Sequence, residues 1–136
     1  METWQQIILK AVSCLGTPYI WGGSTPETGL DCSGLVVWIL KEIGKVPQDY
    51  DDTANGLWHK YGLSYDVAAP QPGDLVFYGS TGVSHVMIAL NASWCIGATP
   101  GDHTTVTKEI AAKQGAYVKV RPLNYRADLA GFGRIT

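Results

Sequence analysis

The chain has 136 residues, 46% of them hydrophobic, with sixteen glycines, five tryptophans and a formal net charge of −2. That length fits one domain over residues 1–136 that buries a core without disulfides or a metal, and no window reaches the roughly 18 unbroken apolar residues of a membrane-spanning helix. A near-neutral charge with no basic run excludes the phosphate-tracking surface of a nucleic-acid binder.

Trp4, Ile7, Ile8, Ala11, Val12 and Leu15 recur at helical spacing, and Gly16 with Pro18 ends the first predicted helix. A turn-rich loop, TPYIWGGSTPETGLD, leads to a second helix over Ser33–Ile43 that is apolar nearly all round, reads as central and buried, and stops at Gly44. Asp51 and Asp52 offer cap chemistry for a short helix through Trp58 that Gly62 ends, and PQPG at 70–73 is a turn. From Asp74 the pattern changes to strands: DLVFY, VSHVMIAL, SWCIGA, TTVT and AYVKV, with GFGRIT able to pair at an edge. Helices first and strands after predict an α+β fold with the helices on one side of an antiparallel sheet.

Cys14, Cys32 and Cys95 are odd in number and lack paired spacing, and His59, His85 and His103 lack metal-ligand spacing. Free thiols in a reducing compartment are expected, with no metal and no cofactor. Cys14 and Cys95 read as small buried hydrophobes, and His59 as a surface side chain.

Cys32 differs by position. Asp31 and Ser33 flank it where the central helix begins, and the unpaired N–H groups of a helix N-terminus favour a thiolate and can receive an oxyanion. Alternation in GVSHVMIAL puts Val83, His85, Met87 and Ala89 on one face, so His85 interrupts an apolar row. A histidine there reads as a core residue when taken alone, and as the proton partner of Cys32 if its face packs against the helix that the cysteine starts.

GTPYIWGG (16–23), LDCSGLV (30–36), QPGDLVFY (71–78) and SHVMIAL (84–90) together resemble the NlpC family of papain-like cell-wall cysteine peptidases. The resemblance implies a papain-like core, with a central helix carrying the cysteine at its N-terminus packed on an antiparallel sheet. It implies Cys32 as nucleophile and His85 as general base, Tyr19 beside the reacting centre, and Asp31 and Ser33 lining the substrate cleft. Trp21, next to Gly22 and Gly23, borders that cleft. The implied substrate is a peptidoglycan stem peptide, cut at a bond such as γ-D-glutamyl to diaminopimelate.

One position departs from the family pattern. Relatives place a polar side chain on the strand after the base to orient the imidazole, and the aligned residue here is Gly97. A short turn at Asn91–Ser93 brings residues 97–99 opposite His85; the candidate substitutes are the Thr99 hydroxyl, a backbone carbonyl, and Asp102 or His103 from the PGDHTT loop. A thiolate–imidazolium pair depends less on such a group than a serine nucleophile does.

The opening residues lack the basic start and apolar core of a secretory signal. The expectation is synthesis in the cytoplasm and action on the wall after delivery, as in a phage-type lytic or tail-associated enzyme, with a holin or tail component as delivery partner. Two alternatives accompany it: a non-catalytic tail protein keeping the fold, and a Cys/His acyltransferase or amidase.

Overall fold

The N-terminal apolar repeat folds as α1 (Thr3–Ser13) in the computed structural model, which describes all residues 1–136. Of the predicted stripe Ile7 and Ala11 are buried, while Trp4, Val12 and Leu15 stay largely exposed. A two-stranded ribbon, β1 (Ser24–Thr25) and β2 (Gly29–Leu30), leads into α2 (Cys32–Glu42), and α3 (Ala54–Tyr61) follows. The second helix begins one residue earlier than its apolar pattern suggests, because Asp31 caps it: the Gly34 N–H donates to Asp31 Oδ1 at 2.6 Å.

The cap of α3 is Thr53, whose hydroxyl accepts the Gly56 N–H at 3.1 Å. Asp52, a predicted cap, instead receives the Tyr50 hydroxyl and the Thr53 N–H. Gly62 ends that helix, as predicted.

The chain then lays down β3 (Leu75–Tyr78), β4 (His85–Ala89), β5 (Trp94–Thr99), α4 (Lys108–Gln114), β6 (Tyr117–Pro122) and β7 (Leu129–Gly133). The five longer strands form an antiparallel sheet in the order β6-β5-β4-β3-β7, so the GFG segment does pair at an edge. The TTVT strand does not form. Its threonines bond locally: Thr107 caps α4 by accepting the Ile110 N–H, Thr104 donates to Asp102, and the Thr105 hydroxyl donates to Gln114. Thr107 at the cap, Glu109 in the first turn, and Lys113 with Gly115 at the far end are helix signals that outweigh the β preference of a short threonine run.

The sheet is buried on both faces. Leu75, Phe77, Val86, Ile88, Ile96 and Ala98 pack against the helices, with Leu35, Ile39 and Leu40 of α2 at the centre. Val76, Tyr78, Met87, Ala89, Cys95 and Phe132 form the opposite face, covered by Leu63, Val67, Leu123 and Tyr125. The architecture is α+β, with helices packed on an antiparallel sheet and the cysteine on the first turn of the central one.

Candidate active site

Cys32 is placed by backbone packing. The first turn of α2 lies on the Gly23 carbonyl, where a Cβ at Gly34 would stand 2.0 Å from that oxygen; only glycine fits, which gives the DCSG and WGG stretches a common steric reason. Asp31 ties the two together: Oδ1 caps the helix, and Oδ2 accepts the Gly22 N–H at 3.0 Å. The N–H groups of Cys32 and Ser33 are left without a backbone acceptor, as first-turn groups are.

His85 starts β4 on the sheet face opposite the helices. Its ladder partner is Tyr78, whose ring centroid lies 5.7 Å from the imidazole, whereas Val86 and Ile88 point to α2. The face of His85 is therefore not the one packed on α2, and His85 meets Cys32 instead at the end of the strand, where both open into one cleft of about 510 Å³. Each is 8% exposed. No hydrogen bond joins them; the one side-chain bond of the imidazole goes to Tyr125.

Electrostatics also departs from the helix-terminus expectation. Burial pushes the Cys32 thiol up to about 11, with Asp31 adding to the rise; backbone N–H groups of Val86, Ser33 and Cys32 point at the sulfur and only partly offset it. Burial, then the Arg126 guanidinium, pulls His85 down from 6.5 to about 4, against a smaller opposing pull from Asp128. At neutral pH the resting pair is thiol and neutral imidazole, not an ion pair.

The other expected residues gather around the same cleft. Tyr19, Trp21, Asp31 and Ser33 line it, and so do Asp102 and His103. Tyr19 is buried and its phenol is pushed up by burial, with Cys32, Asp31 and Asp102 adding to the shift. Trp21 is 53% exposed and meets His103 edge-on, 6.3 Å between ring centroids.

None of the three side-chain substitutes for an orienting group bonds to His85. Asp102 is engaged in its own turn, accepting the Thr104 N–H at 2.8 Å and hydroxyl at 2.6 Å, which hold its carboxyl below the usual range. His103 stands against Trp21. The β4–β5 register, Ile88 opposite Ile96, carries Thr99 opposite His85, but the Thr99 hydroxyl faces the Tyr125 hydroxyl at 3.4 Å. It is Tyr125 that reaches the imidazole, with its hydroxyl 2.7 Å from Nε2.

Sequence reasoning missed Tyr125 and Arg126, a further cleft residue paired with Asp128 through two hydrogen bonds of 2.8 and 2.6 Å. The available signal was the missing side chain at Gly97, which calls for a polar group arriving from elsewhere on the same sheet face.

A family model described as NlpC/P60 matches residues 16–124. The chain belongs to the NlpC/P60 family. The family domain of the peptidoglycan hydrolase SagA superposes with a TM-score of 0.71 at 28% identity, over 98% of this chain and 100% of that one. The bifunctional muramidase/DL-endopeptidase CwlT of Bacillus subtilis is 37% identical over 92 residues, 65% of this chain and 27% of the relative. The murein DD-endopeptidase MepH of Escherichia coli is 39% identical over 74 residues, 54% of this chain and 27% of the relative. This chain thus spans about a quarter of the length of these curated relatives. Within the NlpC/P60 match lie the cysteine, the histidine and the two glycine-bearing stretches that pack on one another.

Proposed function

We propose that this chain is a cysteine endopeptidase acting on peptidoglycan stem peptides. The observation that carries the reading is the convergence of Cys32, on the first turn of α2, and His85, on the first residue of β4, in one cleft. The likeness to the SagA domain and to two wall endopeptidases supports the substrate class.

The chemistry follows from the resting charges. The thiol proton passes to His85 Nδ1 as Sγ bonds to the amide carbonyl carbon, and the N–H groups of Cys32 and Ser33, which have no backbone acceptor and point at the sulfur, are the donors nearest the developing oxyanion. The C–N bond then breaks as His85 returns the proton to the leaving amine, and water hydrolyses the thioester with His85 again as base. No step requires a metal or a cofactor. The bond we propose is γ-D-glutamyl to diaminopimelate, in keeping with the DL-endopeptidase name of CwlT; the DD-endopeptidase name of MepH makes a bond between two D-centres the competing outcome.

Incubating the protein and its Cys32→Ala variant with isolated peptidoglycan, then reading fragments and new amino termini by mass spectrometry, tests both levels. Cutting by the wild type alone supports the peptidase, and the fragment masses name the bond. A second reading, a non-catalytic wall-binding domain, is favoured by the missing Cys32–His85 hydrogen bond; it expects both proteins to be retained by the wall and neither to cut it.

A further inference from the structure

The imidazole of His85 is held from outside β5, the strand that follows it. The face of β5 that carries Cys95 and Thr99 also carries Gly97, and the space beside Gly97 is filled by the Met87 side chain. Gly97 has no side chain to offer His85, and the register places it opposite Met87. Tyr125 comes instead from the segment after β6, over the same face.

Its ring is fixed on several sides. The Arg121 guanidinium sits 4.4 Å from the ring centroid, and the Tyr78 ring meets it edge-on at 5.4 Å. The Tyr125 N–H donates to the Pro122 carbonyl at 3.0 Å, and the Tyr78 hydroxyl holds the Leu123 carbonyl at 2.7 Å. A side chain restrained this way presents its hydroxyl with little freedom, which suits a group that orients another.

We propose that Tyr125 is the positioning residue of His85: its hydroxyl oxygen accepts the Nε2–H of the imidazolium formed during the reaction, while its own proton turns to Thr99 Oγ1. The argument is one of proton accounting. With Nε2 occupied by Tyr125, Nδ1 is the nitrogen left to take the thiol proton. After transfer both ring nitrogens carry hydrogen, and the only acceptor at Nε2 is the phenol oxygen. That oxygen can accept only if its hydrogen points elsewhere, and the Thr99 hydroxyl at 3.4 Å is the neighbour placed to receive it. Thr99, expected from the sequence to touch His85, acts one bond further out. A phenol in this role brings no negative charge to the site; burial also pushes the Tyr125 hydroxyl upward, so it stays protonated at neutral pH.

The catalytic readout rests on the peptidase reading; the tautomer readout does not. Tyr125→Phe keeps the ring and removes the acceptor. On a stem-peptide substrate kcat should fall about 10- to 100-fold with KM and melting temperature little changed, less than the loss of a charged orienting group would cause. Thr99→Val should give a smaller loss of the same kind. Nitrogen-15 spectra of the His85 ring should show hydrogen on Nε2 in the wild type and a mixture of tautomers in Tyr125→Phe. An unchanged kcat, or a wild-type ring protonated at Nδ1 with the same spectrum in Tyr125→Phe, would overturn the proposal. A wild type that cuts no wall peptide yet shows the Nε2–H form, lost in Tyr125→Phe, would remove the peptidase reading and leave this placement standing.

Discussion

A Cβ built on Gly97 would stand 2.5 Å from the sulfur of Met87, a side chain with no exposed surface. The two positions share one volume. Gly97→Ala should therefore destabilise the fold by about 1–3 kcal/mol, the usual cost of overpacking a closed core, as read from denaturant midpoints. The penalty should shrink when Met87 is already alanine, and a cycle showing strict additivity would contradict the shared volume. Gly97→His, which places a polar side chain at this position, should lose stability without gaining activity.

The pH dependence of activity follows from two displaced groups. His85 serves as a base only when neutral, above about 4, and the thiol is retained as a proton source until about 11. The kcat/KM profile should be a broad plateau between limbs near those values, and iodoacetamide should label Cys32 slowly at neutral pH, since thiolate is scarce there. A profile with an acid limb near 6.5 would show that His85 is not held in the buried, neutral state described above.

The same histidine bears on stability, with a definite sign. A group whose pKa is lower in the folded chain binds fewer protons there than in the unfolded chain, so its contribution is complete above 6.5 and is lost as pH falls toward about 4. Melting temperature should drop through that window in the wild type, and drop less in His85→Gln.

Arg126 contributes to that displacement by repelling the imidazolium from within the cleft. Arg126→Met should raise the His85 pKa and move the acid limb of the activity profile upward, while Asp128, left behind, pulls in the same direction. A limb that stays in place would assign the displacement to burial alone.

Away from the cleft, Arg134 grips the carboxylate of Asp74 with bonds of 2.9 and 2.8 Å and ties the C-terminal segment to the start of β3. The Asp74 side chain is 3% exposed, against 37% for Arg134. Arg134→Leu leaves a buried carboxylate with only the Gln71 N–H as partner and should cost about 2–3 kcal/mol in chemical denaturation, less than a fully buried pair because Arg134 is partly solvated. Asp74→Asn, which removes the charge as well, should cost less.

Local chemistry made much of this protein readable from its sequence. Period and composition placed α1, α2 and the strands of the main sheet, because apolar repeats at spacings near 3.6 and 2 favour one local structure, but they misread TTVT, which lacks such a repeat. Asp31 and Ser33 around Cys32 marked a helix start with the cysteine on it, since capping is settled within a few residues. The four stretches in order also carried the family likeness, which the matched span 16–124 establishes.

Tertiary structure decided the rest. Alternation divides β4 into two faces but does not tell which one the helices cover, so the placement of His85 awaited the sheet order. Burial, a property of the whole fold, outweighs the helix terminus at Cys32 and reverses the shift expected from position alone. Tyr125 lies 40 residues beyond His85 and meets it only because β6 carries the chain back along the sheet. Contacts between distant segments depend on how layers pack, and a local pattern holds no record of them.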